Sequence, residues 1–204
     1  MLWLRSGRLV DPLNIDFGKV ELYDVAWALA NENRWGGHCS PPISVAQHAI
    51  ACARAVWEQP ALSLLALHHD DGEAFFKDMP RDLKARPEMA WYREQEHACT
   101  ERCIRHFAPS VASLLTIPNI RHSLKTIDLG SLLTERTDRF PPEREDCGYT
   151  PDVPPLPRDV YPRGRPTAIA AVFCGMHRVL TRRVRASLEI GRVPGFGPYR
   201  AAVG

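Results

Sequence analysis

Residues 61–76 read ALSLLALHHDDGEAFF, and this stretch decides the fold. Its first half is rich in leucine and alanine, which favour helices, and predicts a helix buried in the core. Its second half is a cluster of imidazole and carboxylate side chains: His68, His69, Asp70, Asp71 and Glu73. Such groups at the end of a buried helix are costly unless they are paired or bind a metal ion. The alternative is a solvated helix end, although negative charge is unfavourable near a helix C-terminus.

Periodic apolar residues predict further helices on both sides of this stretch, so the predicted fold class is all-α. Asp24 is placed to cap a helix that ends near Gly36. Pro41 and Pro42 open a second helix, which runs to Trp57. The remaining predicted helices cover residues 81–85, 88–107, 123–140 and 166–188.

Two segments fall outside this helical pattern. Residues 1–23 alternate loosely and break at Asp11-Pro12, which predicts a short hairpin or an extended arm. Residues 141–165 are rich in proline and lack apolar periodicity, which predicts a long loop that is functional, mobile or a partner-binding arm. We expect one domain over residues 1–204, with a compact helical bundle at 24–140, this loop, and a C-terminal helix at 166–188.

Bulk composition narrows the functional classes. The formal net charge of +2 is too small to indicate a nucleic-acid or membrane-surface partner. No apolar run has the length of a membrane span, and the N-terminus MLWLRSGRLVDP lacks the apolar core of a signal peptide. Six cysteines without CxxC spacing indicate reduced packing thiols. We therefore expect a cytoplasmic protein that binds neither nucleic acid nor membrane.

Imidazole and carboxylate side chains on separate helices form the mixed ligand set of a divalent first-row metal ion. His69 and Asp70 are adjacent, while His48 lies on the helix upstream and Asp128 on a helix downstream. Each has an ordinary alternative. A lone histidine such as His48 is more often buried and bonded to a backbone carbonyl. Asp128, between two apolar residues, could pair with Lys125 or an arginine instead.

Two further motifs offer catalytic or substrate-binding groups. Glu73 follows Asp70 by three residues, so it shares that helix face and could reach a water bound to the metal. Arg34-Trp35 precedes a pair of glycines and offers a cation for a phosphate and a ring for a base. A helix-terminal arginine beside a packed tryptophan is an equally good interpretation.

Together these motifs resemble the HD-domain phosphohydrolase superfamily, whose metal ion is held by the pattern H…HD…D. The matching segments are Arg34-Trp35, SVAQHAI at 44–50, ALHHDDGEAFFKDMP at 66–80 and KTIDL at 125–129. The chain looks most similar to bacterial 5′-deoxynucleotidases. Its opening LWLRSGRLVDPLNID at 2–16 and its GGH segment at 36–38 look like viral dATP/dNTP triphosphohydrolases. The resemblance covers residues 24–140.

The resemblance implies metal-dependent hydrolysis of deoxynucleotides at the α-phosphate, foremost of a dNTP such as dATP, with a 5′-deoxynucleotidase acting on dNMPs as the alternative. The implied metal ligands are His48, His69, Asp70 and Asp128. The implied catalytic residues are Asp70 and Glu73. The implied or candidate substrate contacts are Arg34, Trp35, His38, Asp78 and Lys84. The ion would be Co, Mn, Zn, Fe or Mg, and the acidic residues nearby leave room for a second ion.

Some features depart from the family pattern. Asp71 stands where a small residue is common and predicts extra negative charge at the site, and His38 lies outside the general pattern. The resemblance also implies a homo-oligomer, with helix 88–107 as a contact face, in a bacterial cytosol or in host cytosol if the protein is viral. Two other functions stay open: a nucleotide-sensing module without catalysis, and an HD enzyme for cyclic dinucleotides or oligonucleotides. The second is disfavoured by the modest net charge and by the absence of its additional motifs.

Overall fold

The computed structural model describes residues 1–145 and 147–189. Helices dominate this part of the chain, which confirms the predicted all-α class. Two short strands, β1 (Leu2–Trp3) and β2 (Leu9–Val10), pair antiparallel and confirm the N-terminal hairpin. The α-helices are α1 (Leu22–Asn31), α2 (Val45–Ala55), α3 (Pro60–His68), α4 (Glu73–Phe76), α5 (Arg81–Lys84), α6 (Ala90–Phe107), α7 (Pro109–Ala112), α8 (Pro118–Arg139) and α9 (Pro166–Glu189).

The start of α1 differs from the sequence prediction, in which Asp24 is the cap. The N-cap is Glu21, and Asp24 lies in the first turn. The Asp24 carboxylate accepts the backbone N–H groups of Glu21 at 3.0 Å and of Ser6 at 2.7 Å. An acidic residue in the first turn can satisfy the free N–H of the cap residue, so the helix starts earlier than the position of Asp24 suggests. The same carboxylate fastens the hairpin to α1.

Helix α2 begins later than Pro41 and Pro42 predict, because Ser44 and Gln47 form a capping box. Ser44 Oγ accepts the backbone N–H of Gln47 at 3.3 Å, and Gln47 Oε1 accepts that of Ser44 at 2.9 Å. This box fixes Val45 as the first helical residue. It also places His48 one turn into α2, on the face that is fully buried.

The stretch 61–76 is two helices, not one. Helix α3 is buried almost throughout and ends at His68, and α4 begins at Glu73. The turn between them packs against α6, where Thr100 Oγ1 accepts the N–H of Gly72 at 3.1 Å. A Cβ on Gly72 would stand 2.6 Å from the carbonyl oxygen of Glu96. The close approach of α6 therefore ends the helix and leaves His69 and Asp70 on a partly buried turn.

The hydrophobic core extends beyond the bundle predicted at 24–140. Helix α9 packs against α1, α2 and α3, and its residues Phe173, Leu180 and Val184 are buried in the same cluster as α1–α3. From the hairpin, Val10 joins that cluster as well. The predicted C-terminal helix is confirmed as α9, but it completes the core and is not an appendage.

The proline-rich loop is docked on α8 and α2. The N–H of Leu156 donates to the Gly130 carbonyl at 3.1 Å, and Thr134 Oγ1 donates to the Leu156 carbonyl at 2.7 Å. A Cβ on Gly130 would stand 2.7 Å from the carbonyl oxygen of Pro154, so only glycine allows this approach. Further along the loop, the hydroxyls of Tyr161 and Ser131 are 2.6 Å apart.

None of the helices within residues 1–145 and 147–189 combines the length and the apolar character that crossing a bilayer requires. The described cysteines are free thiols, of which Cys147 is exposed.

Candidate metal centre

The four predicted metal ligands converge from three elements that pack on one another: α2, the turn after α3, and α8. His48 Nε2 lies 3.2 Å from His69 Nε2, and 3.4 Å from both Asp70 Oδ2 and Asp128 Oδ1. His69 Nε2 lies 3.3 Å from Asp70 Oδ2. Ligand atoms at about 2.1 Å from one ion stand about 3–3.5 Å apart, so these atoms have the spacing of ligands around a common point.

Both imidazoles are oriented with Nε2 toward that point, because Nδ1 is bonded elsewhere. His69 Nδ1 lies 2.8 Å from the carbonyl oxygen of Ala66 and donates to it. His48 Nδ1 lies 3.0 Å from Glu135 Oε1 and 2.8 Å from Ser131 Oγ. Acceptors at Nδ1 fix the proton there and leave the Nε2 lone pair free, which is how metal-binding histidines are commonly held.

Glu135 connects the histidine to the arginine motif, and the sequence interpretation missed it. Its carboxylate is buried and accepts bonds from Arg34 Nε and Trp35 Nε1, each at 2.9 Å. Burial alone would raise the pKa of Glu135, yet Arg34 and His48 lower it to about 2. Glu135 lies seven residues after Asp128 on α8, with Ser131 between them. This spacing on one helix face was the signal that could have revealed it.

Asp70 and Asp128 carry negative charge into the centre. Burial opposes ionisation of Asp70, but His69 and His48 together lower its pKa. The pKa of Asp128 is likewise lowered, against burial, by His48 and Lys125. Lys125 Nζ donates to Asp128 Oδ2 at 2.7 Å, while Oδ1 faces His48. The pairing of Asp128 with Lys125 is therefore confirmed for Oδ2, while the metal-ligand role stays a prediction for Oδ1.

A thiol also lies in this group. Cys52 Sγ is 3.7 Å from His48 Nε2. Ligand atoms of His48, Cys52 and His69 lie within 4.8 Å of one another, a group that could hold a metal ion. Burial raises the pKa of the Cys52 thiol, which disfavours the thiolate that binds metals. The ionised carboxylates of Asp70 and Asp128 are closer to His48 than this sulfur is.

Glu73 lies beside the ligand group at the start of α4. It is 5% exposed, and within the described part of the chain its Oε2 has no hydrogen-bond partner. Burial first, and then the charges of Asp70 and Asp78, raise the pKa of Glu73 well above its ordinary value. Lys84 Nζ is 4.0 Å from the other oxygen. A buried carboxyl with a raised pKa and a free oxygen is a candidate for proton exchange with a substrate or a water.

Arg34 and Trp35 lie beside the candidate metal centre, and some of their N–H groups are already hydrogen-bonded to Glu135. Arg34 is buried, and its Nη1 is 3.8 Å from Asp70 Oδ2. Trp35 has a φ of 60°, and its ring packs edge-on against Phe140 at 5.1 Å. The indole N–H and Arg34 Nε both donate to Glu135, and Arg34 Nη1 is the guanidinium atom that approaches Asp70.

The remaining predicted substrate contacts lie at different places around the centre. Asp78 is partly buried; burial raises its pKa, and the nearby Arg34 counteracts this. The Lys84 ammonium is bonded to the Glu96 carboxylate and approaches Glu73 from α5. His38 is exposed in the turn that follows Arg34, where its backbone N–H donates to the carbonyl of Trp35 at 3.1 Å.

Asp71 does not supply the extra negative charge that the sequence predicts at the centre. Its Oδ2 accepts a bond from His68 Nδ1 at 2.7 Å, and both side chains are fully buried. The prediction was wrong because the bend after α3 sends Asp70 and Asp71 to opposite sides, one to the ligand group and one into the core.

No model of a known protein family matches the chain. The chain is similar to a protein named "Uncharacterized protein YfdR" from Escherichia coli (strain K12), with 34% identity over 129 residues. The match covers 63% of this chain and 65% of that protein, so the chain spans a little under two thirds of its relative's length.

Proposed function

We propose that the chain is a metal-dependent phosphohydrolase that cleaves deoxynucleotides at the α-phosphate. The observation that carries this proposal is the convergence of His48, His69, Asp70 and Asp128, with ligand-to-ligand distances of 3.2–3.4 Å. The HD-domain resemblance of residues 24–140 supports the same reaction class.

The donor set fits a divalent ion. Two neutral imidazoles and two carboxylates offset the charge of such an ion, and both Nε2 lone pairs are directed to it by acceptors at Nδ1. A divalent ion held there supplies Lewis-acid polarisation of a phosphoryl oxygen and of the attacking water. We assign Co, Mn, Zn, Fe or Mg to this role, and the free oxygen of Glu73 leaves room for a second ion.

Glu73 is proposed as the acid/base residue. Its unpartnered Oε2 is available to orient the attacking water and to accept its proton. The raised pKa of Glu73, caused by burial and by Asp70, makes this carboxylate a stronger base than an exposed one. Lys84, 4.0 Å from Oε1, holds the side chain in place and limits that rise.

Arg34 is proposed to bind the phosphate that is attacked. Its guanidinium is buried and anchored by Glu135, so one edge is fixed and the other faces Asp70. A fixed guanidinium edge offsets charge on phosphoryl oxygens without having to be reoriented. We place Trp35, Asp78 and Lys84 around the rest of the nucleotide, as the resemblance implies, and we add His38 as a candidate contact outside the family pattern.

The length of the phosphate chain separates two versions of the proposal. The similarity of residues 2–16 and 36–38 to viral enzymes favours a dNTP, which would yield triphosphate and a deoxynucleoside. The pairing of nearby cations favours a dNMP: Lys84 is bonded to Glu96, Lys77 to Glu32 and Arg34 to Glu135. Cations that already have acidic partners are less available for three phosphates.

Product analysis tests both versions. The protein is incubated with dATP and dAMP in parallel, with Mn²⁺ or Co²⁺, and the products are separated by chromatography. Triphosphate from dATP supports the first version, and phosphate from dAMP alone supports the second. His69→Ala is the matched control and should be inactive on both. If neither substrate is hydrolysed by wild-type protein that holds its metal ion, the proposal is wrong and a nucleotide-sensing module is favoured.

A further inference from the structure

A chain of three polar side chains adjoins the candidate metal centre without belonging to the ligand set: Asp71, His68 and His177. His68 Nδ1 is 2.7 Å from Asp71 Oδ2, and His68 Nε2 is 2.9 Å from His177 Nδ1. His68 and Asp71 are fully buried, and His177 is partly buried on α9. Both ring nitrogens of His68 are therefore bonded inside the protein, which gives the ring a single orientation.

These three hydrogen-bonded side chains lie directly beside the predicted metal ligands. His68 and Asp71 are the two residues that bracket His69 and Asp70 in the sequence. Their side-chain bond, together with the backbone bond from Asp71 N–H to the His68 carbonyl at 3.3 Å, closes the turn on its buried side. His69 and Asp70, two candidate metal ligands, thus lie in a turn that the hydrogen bonds between His68 and Asp71 hold closed.

Helix α9 reaches the turn through His177. The rings of His68 and Phe173, one turn earlier on α9, pack edge-on at 5.4 Å. Phe173 supplies apolar contact, but His177 supplies the polar partner that His68 Nε2 requires in the core. Helix α9 lies outside residues 24–140, so this contact is not part of the HD-like pattern.

We propose that His177 is a positioning residue for the candidate metal centre: through His68 and Asp71 it holds the turn that presents His69 and Asp70. This inference rests on the proposed metal-dependent function. His68 Nδ1–H donates to Asp71, and His177 Nδ1–H donates to His68 Nε2. Removal of the last donor leaves a buried nitrogen unpaired, so the His68 ring and the turn lose their fixed orientation.

The test compares His177→Leu with His177→Asn. The two side chains have nearly the same shape, but only asparagine keeps an N–H donor where His177 Nδ1 stands. Binding of Co²⁺ alone is measured by titration, together with the visible absorption spectrum of the bound ion, which reports ligand geometry. Thermal unfolding of the metal-free proteins monitors folding. We expect roughly tenfold weaker binding and an altered spectrum for His177→Leu, the lower end of the range for residues that orient metal ligands. We expect His177→Asn to restore both.

Unchanged Co²⁺ affinity and spectrum in a folded His177→Leu protein would overturn the inference, as would equal losses in both variants. If His177→Leu does not fold, His177→Gln replaces it, because its longer amide reaches the place of Nε2 and not of Nδ1. The failure of the proposed function looks different. If the wild-type protein binds no Co²⁺, both the proposed metal centre and this inference are wrong. If the wild-type protein binds Co²⁺ and the His177 variants bind it equally well, only the proposed role of His177 is wrong.

Discussion

A histidine is suited to bind a metal ion when an acceptor holds its proton on Nδ1 and leaves the Nε2 lone pair free, and both His48 and His69 have such acceptors. The backbone-bonded alternative proposed for His48 does not describe it, because His48 Nδ1 is bonded to the side chains of Glu135 and Ser131. It does describe His69, whose Nδ1 donates to the Ala66 carbonyl, yet the same bond leaves Nε2 free. For His69 the two interpretations are therefore not exclusive.

Loss of a single ligand should remove metal binding and hydrolysis together. We expect His69→Ala and Asp70→Ala to bind no Mn²⁺ in an equilibrium titration and to release no product from dATP or dAMP. The control is His97→Ala, since His97 is exposed on α6 and its imidazole lies 3.4 Å from the carboxylate of Glu101, one turn along the same helix. Full hydrolysis by metal-depleted His69→Ala would contradict the proposal.

Removal of the charge on Glu135 should lower the affinity for the metal ion although no predicted ligand is changed. Glu135→Gln keeps the shape but loses the carboxylate that accepts from His48 Nδ1 and Arg34. We expect metal affinity to fall about 10- to 100-fold, the usual effect of losing an acceptor behind a metal-binding histidine. Titration with Mn²⁺ measures this, and Glu101→Gln on the surface is the control. Equal affinity in wild type and Glu135→Gln would remove Glu135 from the support of the centre.

The partly buried His177 should make the metal-free protein less stable in acid. Burial first, and then the proximity of His68 and Arg178, lower the pKa of His177 to about 4. The unfolded chain binds the proton more readily, so stability falls as the pH drops from the ordinary pKa of about 6.5 toward 4. After allowance for partial exposure, this loss is about 1–2 kcal/mol.

Urea unfolding of metal-free wild type and His177→Asn at pH 7 and pH 4 measures this effect. Other groups titrate in both proteins, so the difference between the two losses isolates His177. Wild type should lose more stability than the variant. The same loss in both proteins would mean that His177 titrates normally.

At the scale of elements, each helix is predicted from its own residues. Where a predicted helix boundary is wrong, the cause is a contact with another part of the chain. The apolar period of 61–76 contains no break at His69, because the break is imposed by α6, whose Thr100 and Glu96 crowd Gly72. The predicted ligands could be found because they form a motif along the sequence. Glu135 was missed because its partners His48 and Arg34 come from other elements, and its signal along the sequence is limited to its spacing from Asp128 on α8.

The docking of the proline-rich loop on α8 depends on a single glycine. Gly130→Ala would place a Cβ 2.7 Å from the carbonyl of Pro154, so the loop must shift. We expect a loss of about 1–3 kcal/mol in unfolding free energy, as for other overpacked sites. Faster proteolysis within 141–165 should accompany it.

Gly175→Ala is the matched control. Gly175 lies inside α9, and a Cβ there meets nothing within 4 Å. Alanine in place of a helical glycine should stabilise the protein by about 0.5–1 kcal/mol. Chemical unfolding of both variants gives the comparison. Equal stability of Gly130→Ala and wild type would show that the loop adapts without cost.

At the scale of the whole molecule, the candidate metal centre lies beside the hydrophobic core, between helices that pack on one another. The predicted ligands lie on α2, in the turn after α3 and on α8, while α9 packs against α1, α2 and α3. The HD-domain resemblance ends at residue 140, so it contains the predicted ligands but not α9, from which His177 contacts their turn. The homo-oligomer implied by the resemblance stays a prediction. Light scattering after size-exclusion chromatography tests it, and an exposed Trp91 on α6 marks the predicted contact face.

Because the ligands come from three separate elements, a bound ion should stabilise the whole fold. An ion that binds only the folded state at 100 times its dissociation constant adds about 2.7 kcal/mol. For a domain of this size, that corresponds to a rise in Tm of about 5–10 °C. We expect a chelator to lower the Tm of wild type and His97→Ala by this amount, and to leave His69→Ala unchanged. If neither the chelator nor added Mn²⁺ changes the Tm of wild type, the imidazoles and carboxylates pair with one another and not with an ion. In that case the fold would need no ion to keep these four side chains together.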